Sequence, residues 1–228
     1  MFINIRNMDS KLFANIVLLI IFATAAVGNL MAWGFNKTRW VPVTKPVLMP
    51  VLAIYYVLNC PDVKLVLVFA LLFAFLGDVF LIWPQKKLFF ICGLAFFMIM
   101  QVLYVIFIVK NQVNDVGYTV PALAASLVFL VFGAMIYLKL YRFLNEMKIP
   151  VLVYVMVLLT VSFLCFVNMI ANFNRFSVVE FLGAVFFVVS DTILAFDSFR
   201  RPVRYANLWI MATYINAQLF LFAGFMYT

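Results

Sequence analysis

Residues 65–82 read LVLVFALLFAFLGDVFLI: sixteen apolar residues, one glycine and a single charge, Asp78. A helix needs about 20 apolar residues to cross the hydrocarbon core of a bilayer. The same texture recurs outward from this stretch in both directions. It predicts eight spanning helices, over 12–33, 44–58, 64–82, 88–109, 119–138, 150–169, 178–197 and 206–227. The apolar runs are continuous rather than alternating, which favours helices over the strands of a membrane barrel. The expected fold class is all-α: a polytopic membrane protein, one transmembrane domain over residues 1–228.

Composition leads to the same place. The chain has 228 residues, 68% of them hydrophobic and 11% charged; soluble domains run at about 45–50% apolar and roughly 25% charged. A chain of this size cannot hide so much apolar surface in a water-facing core. A soluble enzyme, a nucleic-acid-binding domain and a disordered chain are excluded. The predicted connections, among them Asn36 to Arg39, Pro61-Asp62, Pro84 to Lys87 and Asn111 to Asp115, are short and polar. Function must therefore sit in the bundle or at its mouth.

The net charge of +8 reads as topology. On the N-terminal side fall Arg6, Lys11, Lys64, Lys110 and Arg175; the other eleven Lys and Arg, from Lys37 to Arg204, fall opposite. The positive-inside rule puts the richer side in the cytoplasm and both termini outside it, in what we expect to be a bacterial inner (plasma) membrane. Ala23-Thr24-Ala25 imitates a signal-peptide cleavage site, but the apolar run continues through Trp33, so a retained first helix is expected.

The chain has no histidine, so a His-based zinc site, triad or proton switch is excluded. Cys60, Cys92 and Cys165 are odd in number and far apart, forming neither a disulfide framework nor a metal cluster. No metal and no cofactor are expected. Charges inside a membrane cost about 2.5–3.5 kcal/mol each on insertion scales, which makes intramembrane carboxyls functional candidates by default. Asp78 and Asp191 each fall four to six residues from the cytoplasmic end of a predicted helix, and Lys45, Asn29 and Tyr154 are expected at a similar depth on the same side. Gln101 and Gln218 are predicted near mid-membrane, with their amides hydrogen-bonded. Glu180 reads as an interfacial charge near the opposite side, and Arg200, Arg201 and Arg204 as loop residues able to attract an anionic headgroup.

A faint repeat is present. Lys45-Pro46-Val47-Leu48 is echoed by Lys148-Ile149-Pro150-Val151-Leu152, Gly77-Asp78 by Ser190-Asp191, and Gln101 by Gln218. Each pair is four helices apart, the spacing expected of a 4+4 duplication.

At these residues the chain resembles the YhhN-type lysoplasmalogenase family of integral membrane proteins. The matching pieces are Thr44-Lys45-Pro46-Val47-Leu48-Met49-Pro50, Leu76-Gly77-Asp78-Val79-Phe80-Leu81, Gly93 to Phe97 running on to Tyr104, Gly183 to Asp191, and Tyr214-Ile215-Asn216-Ala217-Gln218. The resemblance implies eight helices and hydrolysis of the vinyl-ether bond of lysoplasmalogens to a fatty aldehyde and a glycerophospho-base. Lys45, Asp78 and Asp191 fall on the family's polar motifs. In one departure, the family's helix-4 motif carries His three residues before the Tyr, where this chain has Gln101. Gln can hydrogen-bond but cannot transfer protons near neutral pH.

What the residues can do fits that chemistry. Protonating the β-carbon of a vinyl ether leaves an oxocarbenium ion at the α-carbon, which water then captures. Two carboxyls in different environments can divide these tasks. Asp78 and Asp191 are the candidate catalytic pair, with their assignment as acid and base open. Lys45, Asn29, Tyr154, Gln101, Tyr104 and Gln218 are the candidate substrate-binding residues; Lys45 either holds the substrate phosphate as a point charge or pairs with one Asp. The expected partners are a lysophospholipid substrate and membrane lipids, with no nucleic acid and with oligomeric state open. Two other classes compete: a small transporter or channel using the two Asp as proton or cation sites, and a non-catalytic lipid-binding protein.

Overall fold

A computed structural model describes residues 2–113 and 120–227. The predicted connection at Asn114 and Asp115 and the helix start at 119 lie outside the described residues. Among the described residues there are eight helices and no strand: α1 Phe2–Gly34, α2 Thr38–Asn59, α3 Leu65–Phe80, α4 Lys87–Asn111, α5 Val120–Tyr141, α6 Lys148–Ala171, α7 Arg175–Phe199 and α8 Ala206–Met226. Six of them, α1, α2, α4, α6, α7 and α8, are long and apolar enough to cross a membrane. This is an integral membrane protein.

The eight expected spans are matched in helix number but not all in length. α3 has 16 residues, about 24 Å at 1.5 Å per residue. It stops at Phe80 rather than 82, and Trp83-Pro84 follows, where the residue before a proline is pushed out of helical geometry. The described apolar part of α5, Ser126–Tyr141, is similarly short. α2 moves the other way, starting at Thr38 rather than 44. Its opening alternates 3₁₀ turns (Thr38–Trp40 and Lys45–Val47) with α-helical Val41–Thr44 before regular helix from Leu48 to Asn59. Pro42, Pro46 and Pro50 each remove an N–H donor, and 3₁₀ turns absorb the interrupted ladder.

The chain divides into two compact units, Met1–Phe97 and Met98–Thr228. In the first, α2 packs against α1 and α3, and the N-terminal part of α4 lies along α3. Phe80 contacts the rings of Phe89 and Phe96 at centroid distances of 5.5 and 5.2 Å. In the second, each of α5–α8 packs on the next. The α7–α8 contact is the tightest: a Cβ on Gly183 would lie 2.6 Å from the Leu221 amide nitrogen and 3.0 Å from the Ala217 carbonyl oxygen. Such close backbone approach at small residues is how membrane helices associate when lipid tails remove the hydrophobic drive.

Candidate functional site

In the first unit Asp78 is fully buried. The residue before it explains how. A Cβ on Gly77 would sit 2.9 Å from the Phe97 ring, so only glycine lets that ring lie against α3 at the level of the carboxylate. Lys45, buried in the 3₁₀ turn of α2, brings Nζ to 3.6 Å from Asp78 Oδ1. One residue earlier, Thr44 accepts a hydrogen bond from Asn29 Nδ2 at 3.0 Å and donates from its hydroxyl to the Trp40 carbonyl at 3.0 Å. The broken start of α2 therefore aims a cation inward at an acid on α3, and Asn29 of α1 fixes the adjacent turn. Of the two uses anticipated for Lys45, the structure shows the pairing with an aspartate.

In the second unit the Tyr154 hydroxyl of α6 donates to Asp191 Oδ2 of α7. Asp191 has no cation within ion-pair distance among the described residues. Beside it, Ser190 donates to the Ile210 carbonyl of α8 at 3.1 Å, pinning the register of α7. Tyr104 donates to Gln218 Oε1 at 2.8 Å, and Gln218 Nε2 contacts Met100 Sδ at 3.2 Å. Gln218 is therefore hydrogen-bonded, as expected. Gln101 is not: it is 1% exposed, and neither its amide nitrogen nor its oxygen has a hydrogen-bond partner among the described residues.

The expectation of a common depth rests on helix ends at 82 and 197. The helices end at Phe80 and Phe199. Asp78 thus lies two residues from its own helix end and Asp191 eight, about 3 and 12 Å along their axes.

Glu180 overturns an expectation. It is not an interfacial charge but fully buried. Its Oε2 accepts from Gln112 Nε2 at 2.9 Å and Asn168 Nδ2 at 3.2 Å, and the Cys165 thiol is hydrogen-bonded to the same carboxyl. Asn172 Nδ2 donates to Asn168 Oδ1 at 3.1 Å. The start of α7 sets this up. Asn174 Oδ1 accepts from the Phe176 and Ser177 amides, and Ser177 Oγ accepts from the Asn174 amide, a capping box that fixes the first turn. Glu180 then points inward one turn later, with Gly224 of α8 leaving room for its stem. The available signal was the i, i+4 pair Asn168/Asn172 near the end of an otherwise apolar helix.

No three of His, Cys, Asp and Glu come together as a metal-holding group among the described residues. The site chemistry present is that of carboxyls, one lysine, hydroxyls and amides.

These features can be set beside known proteins. Lysoplasmalogenase TMEM86B of Homo sapiens is 31% identical over 152 residues, 67% of this chain and 59% of that protein. Lysoplasmalogenase TMEM86A of Bos taurus is 28% identical over 155 residues, 66% of this chain and 61% of that protein. The human TMEM86A lysoplasmalogenase is 29% identical over 153 residues, 65% of this chain and 60% of that protein. The matched region thus spans about three fifths of the length of these relatives. No solved structure matches. The YhhN family matches residues 40–225, a stretch that begins within the broken opening of α2 and takes in Lys45, Asp78, Tyr154, Glu180 and Asp191. The chain belongs to the YhhN family.

Proposed function

We propose that this protein is a lysoplasmalogenase-like hydrolase that cleaves the vinyl-ether bond of lysoplasmalogens within the membrane. The observation that carries the reading is the buried Lys45–Asp78 ion pair in a chain whose relatives are lysoplasmalogenases. A membrane protein does not bury an acid and a base for stability alone, since apolar residues serve that purpose as well or better.

In the proposed reaction Asp191 is the proton donor. No cation stands beside it among the described residues, whereas Asp78 has Lys45 at 3.6 Å, so of the two carboxyls Asp191 is the one without a fixed counter-charge. The proton goes to the vinyl β-carbon, and the C=C electron pair forms the new C–H bond. The α-carbon becomes an oxocarbenium ion, and Asp78, whose negative charge Lys45 balances, stabilises that cation and orients water toward it. Water adds to the α-carbon and loses a proton, which returns to the Asp191 carboxylate and restores the acid, giving a hemiacetal. As the hemiacetal collapses, its hydroxyl proton passes to the glycerol oxygen, the carbon–oxygen bond to glycerol breaks, and a fatty aldehyde and a glycerophospho-base are released. Asn29, Tyr154, Gln101, Tyr104 and Gln218 bind and orient the lysophospholipid.

We also read all eight helices as spans, with both termini on the non-cytoplasmic side. The lysine pair Lys86 and Lys87 and the arginines Arg200, Arg201 and Arg204 then face the cytoplasm. A 4+4 repeat fits one parallel: Asp78 of α3 is partnered from α2, and Asp191 of α7 from α6. Labelling a cysteine near Lys86 from outside intact cells should fail.

The test of function is aldehyde release from a lysoplasmalogen by purified protein in detergent, alongside Asp78→Asn and Asp191→Asn. Each should lower turnover by about 10²–10⁴-fold, the worth of general acid–base help, and the double variant should be little worse than either single. Parental turnover in a well-folded double variant rejects the two-carboxylate mechanism. No aldehyde from the parent favours a lipid-binding protein, the alternative to which Gln101 lends weight.

A further inference from the structure

A groove of about 310 Å³ opens at the cytoplasm-assigned end of α7, lined by Thr192, Ile193, Phe196, Arg200, Arg201 and Val203. At 100° per residue, its helical walls centre about 150° around α7 from Asp191. The groove therefore faces away from the carboxyl that Tyr154 holds, and it is a separate feature of the second unit.

Its two ends differ in chemistry. Arg200 and Arg201 are exposed, and neither has a carboxylate within ion-pair distance among the described residues. Arg200 instead lies over the rings of Phe143 and Phe196, at 5.9 and 5.6 Å. The nearby acid is otherwise engaged: Asp197 Oδ1 accepts from the Val203 amide at 2.8 Å, which folds the loop wall back onto the helix. Below the arginines the same face of α7 continues as an exposed apolar stripe, Val189 at 41%, Val185 at 39% and Leu182 at 43%. A charged mouth thus tops a hydrocarbon track along one face of a membrane helix.

We propose that this groove binds an anionic glycerophospholipid of the surrounding leaflet, with its phosphate on Arg200 and Arg201 and one acyl chain along Ile193, Val189 and Val185. Guanidinium forks match phosphate oxygens, and basic pockets at the cytoplasmic edge of membrane helices suit anionic headgroups. A zwitterionic headgroup would bring a quaternary cation to two fixed positive charges, so selectivity follows charge. Lipid binding in this groove is independent of hydrolysis.

Native mass spectrometry of the purified protein in detergent, with phosphatidylglycerol and phosphatidylcholine of matched chains at equal concentration, tests it. We expect an adduct preference for phosphatidylglycerol of about tenfold or more, the scale set by two basic side chains at a membrane surface. Arg200→Gln with Arg201→Gln should abolish the preference. Ile193→Trp, which fills the chain track and leaves both charges, should remove most of the phosphatidylglycerol adduct and stands in if the double variant does not fold. Equal adducts of the two lipids on the parent protein, a preference that survives the double arginine variant, or an undiminished phosphatidylglycerol adduct on Ile193→Trp overturns the proposal. Displacement of the adduct by millimolar glycerol 3-phosphate also overturns it, since that would mark a simple anion site without a chain track.

Discussion

Replacing Lys45 with Met keeps a stem of similar length and removes only the charge. At the observed 3.6 Å separation from Asp78 and an effective dielectric of about 20, the attraction lost is about 5 kcal/mol. Part of that attraction offsets the cost of holding both ions out of water, and removing one partner of a buried pair typically costs about 3–5 kcal/mol. For a chain of this length each kcal/mol is worth roughly 2–4 °C, so the melting temperature should fall on the order of 10 °C. Asp78→Asn added to Lys45→Met removes the second charge and should recover most of that loss, although aldehyde release stays low. The assay is size-exclusion recovery after heating in detergent, comparing parent, Lys45→Met and the double variant. If the single and double variants melt together, no buried charge was being compensated and the reasoning fails.

Gln101→His should raise aldehyde release severalfold if the family's histidine moves protons; unchanged turnover in a folded variant assigns position 101 to packing. Glu180→Ala should lower the melting temperature by several degrees, because it removes the acceptor for Gln112 and Asn168, each bare buried donor costing about 1–3 kcal/mol. Glu180→Gln should cost less, and an equal loss in both would show that the hydrogen bonds of this cluster carry no stability. Gly183→Val forces a side chain against the α8 backbone, which lies 2.6 Å from the nearest Cβ position. Failure to accumulate folded protein in detergent is expected, whereas parental yield and melting would show that α7 and α8 can separate cheaply.

The membrane class was legible because it rests on sums: an apolar run such as 65–82 declares itself whatever its neighbours are. Candidate residues on single helices were legible too, since Asp78, Asp191 and Lys45 are expensive in lipid and therefore visible. Their partners were less so. Thr44 reads as an ordinary residue at a helix start, and only the fold brings Asn29 to it. Glu180 was misplaced because six residues from a helix cap is compatible with either interface or interior. The choice is made by Gln112, just past the end of α4, and by Asn168 of α6, which sequence spacing does not connect. The start of α2 was set too late because Pro46 suits a helix first turn, whereas short 3₁₀ turns carry the helix through Pro42 and Pro46. Helix ends also moved: α3 stops two residues before the expected 82 and α7 runs two residues past the expected 197, which changes each aspartate's distance from the end of its own helix.

The clasp at Gly183 has a bearing on how the protein responds to lipid. α7 and α8 have 25 and 21 residues, about 37 and 31 Å long, against a hydrocarbon core of about 30 Å. Locked backbone to backbone, they cannot slide past one another to suit a thinner bilayer. Hydrophobic mismatch must then be taken up by tilting the pair as one body. Glu180 and Asp191, eleven residues apart on α7, keep their spacing of about 16 Å through any such tilt. Bilayer thickness thereby acts on the two carboxyls jointly, so acyl-chain length in the host membrane becomes a control on the height of both.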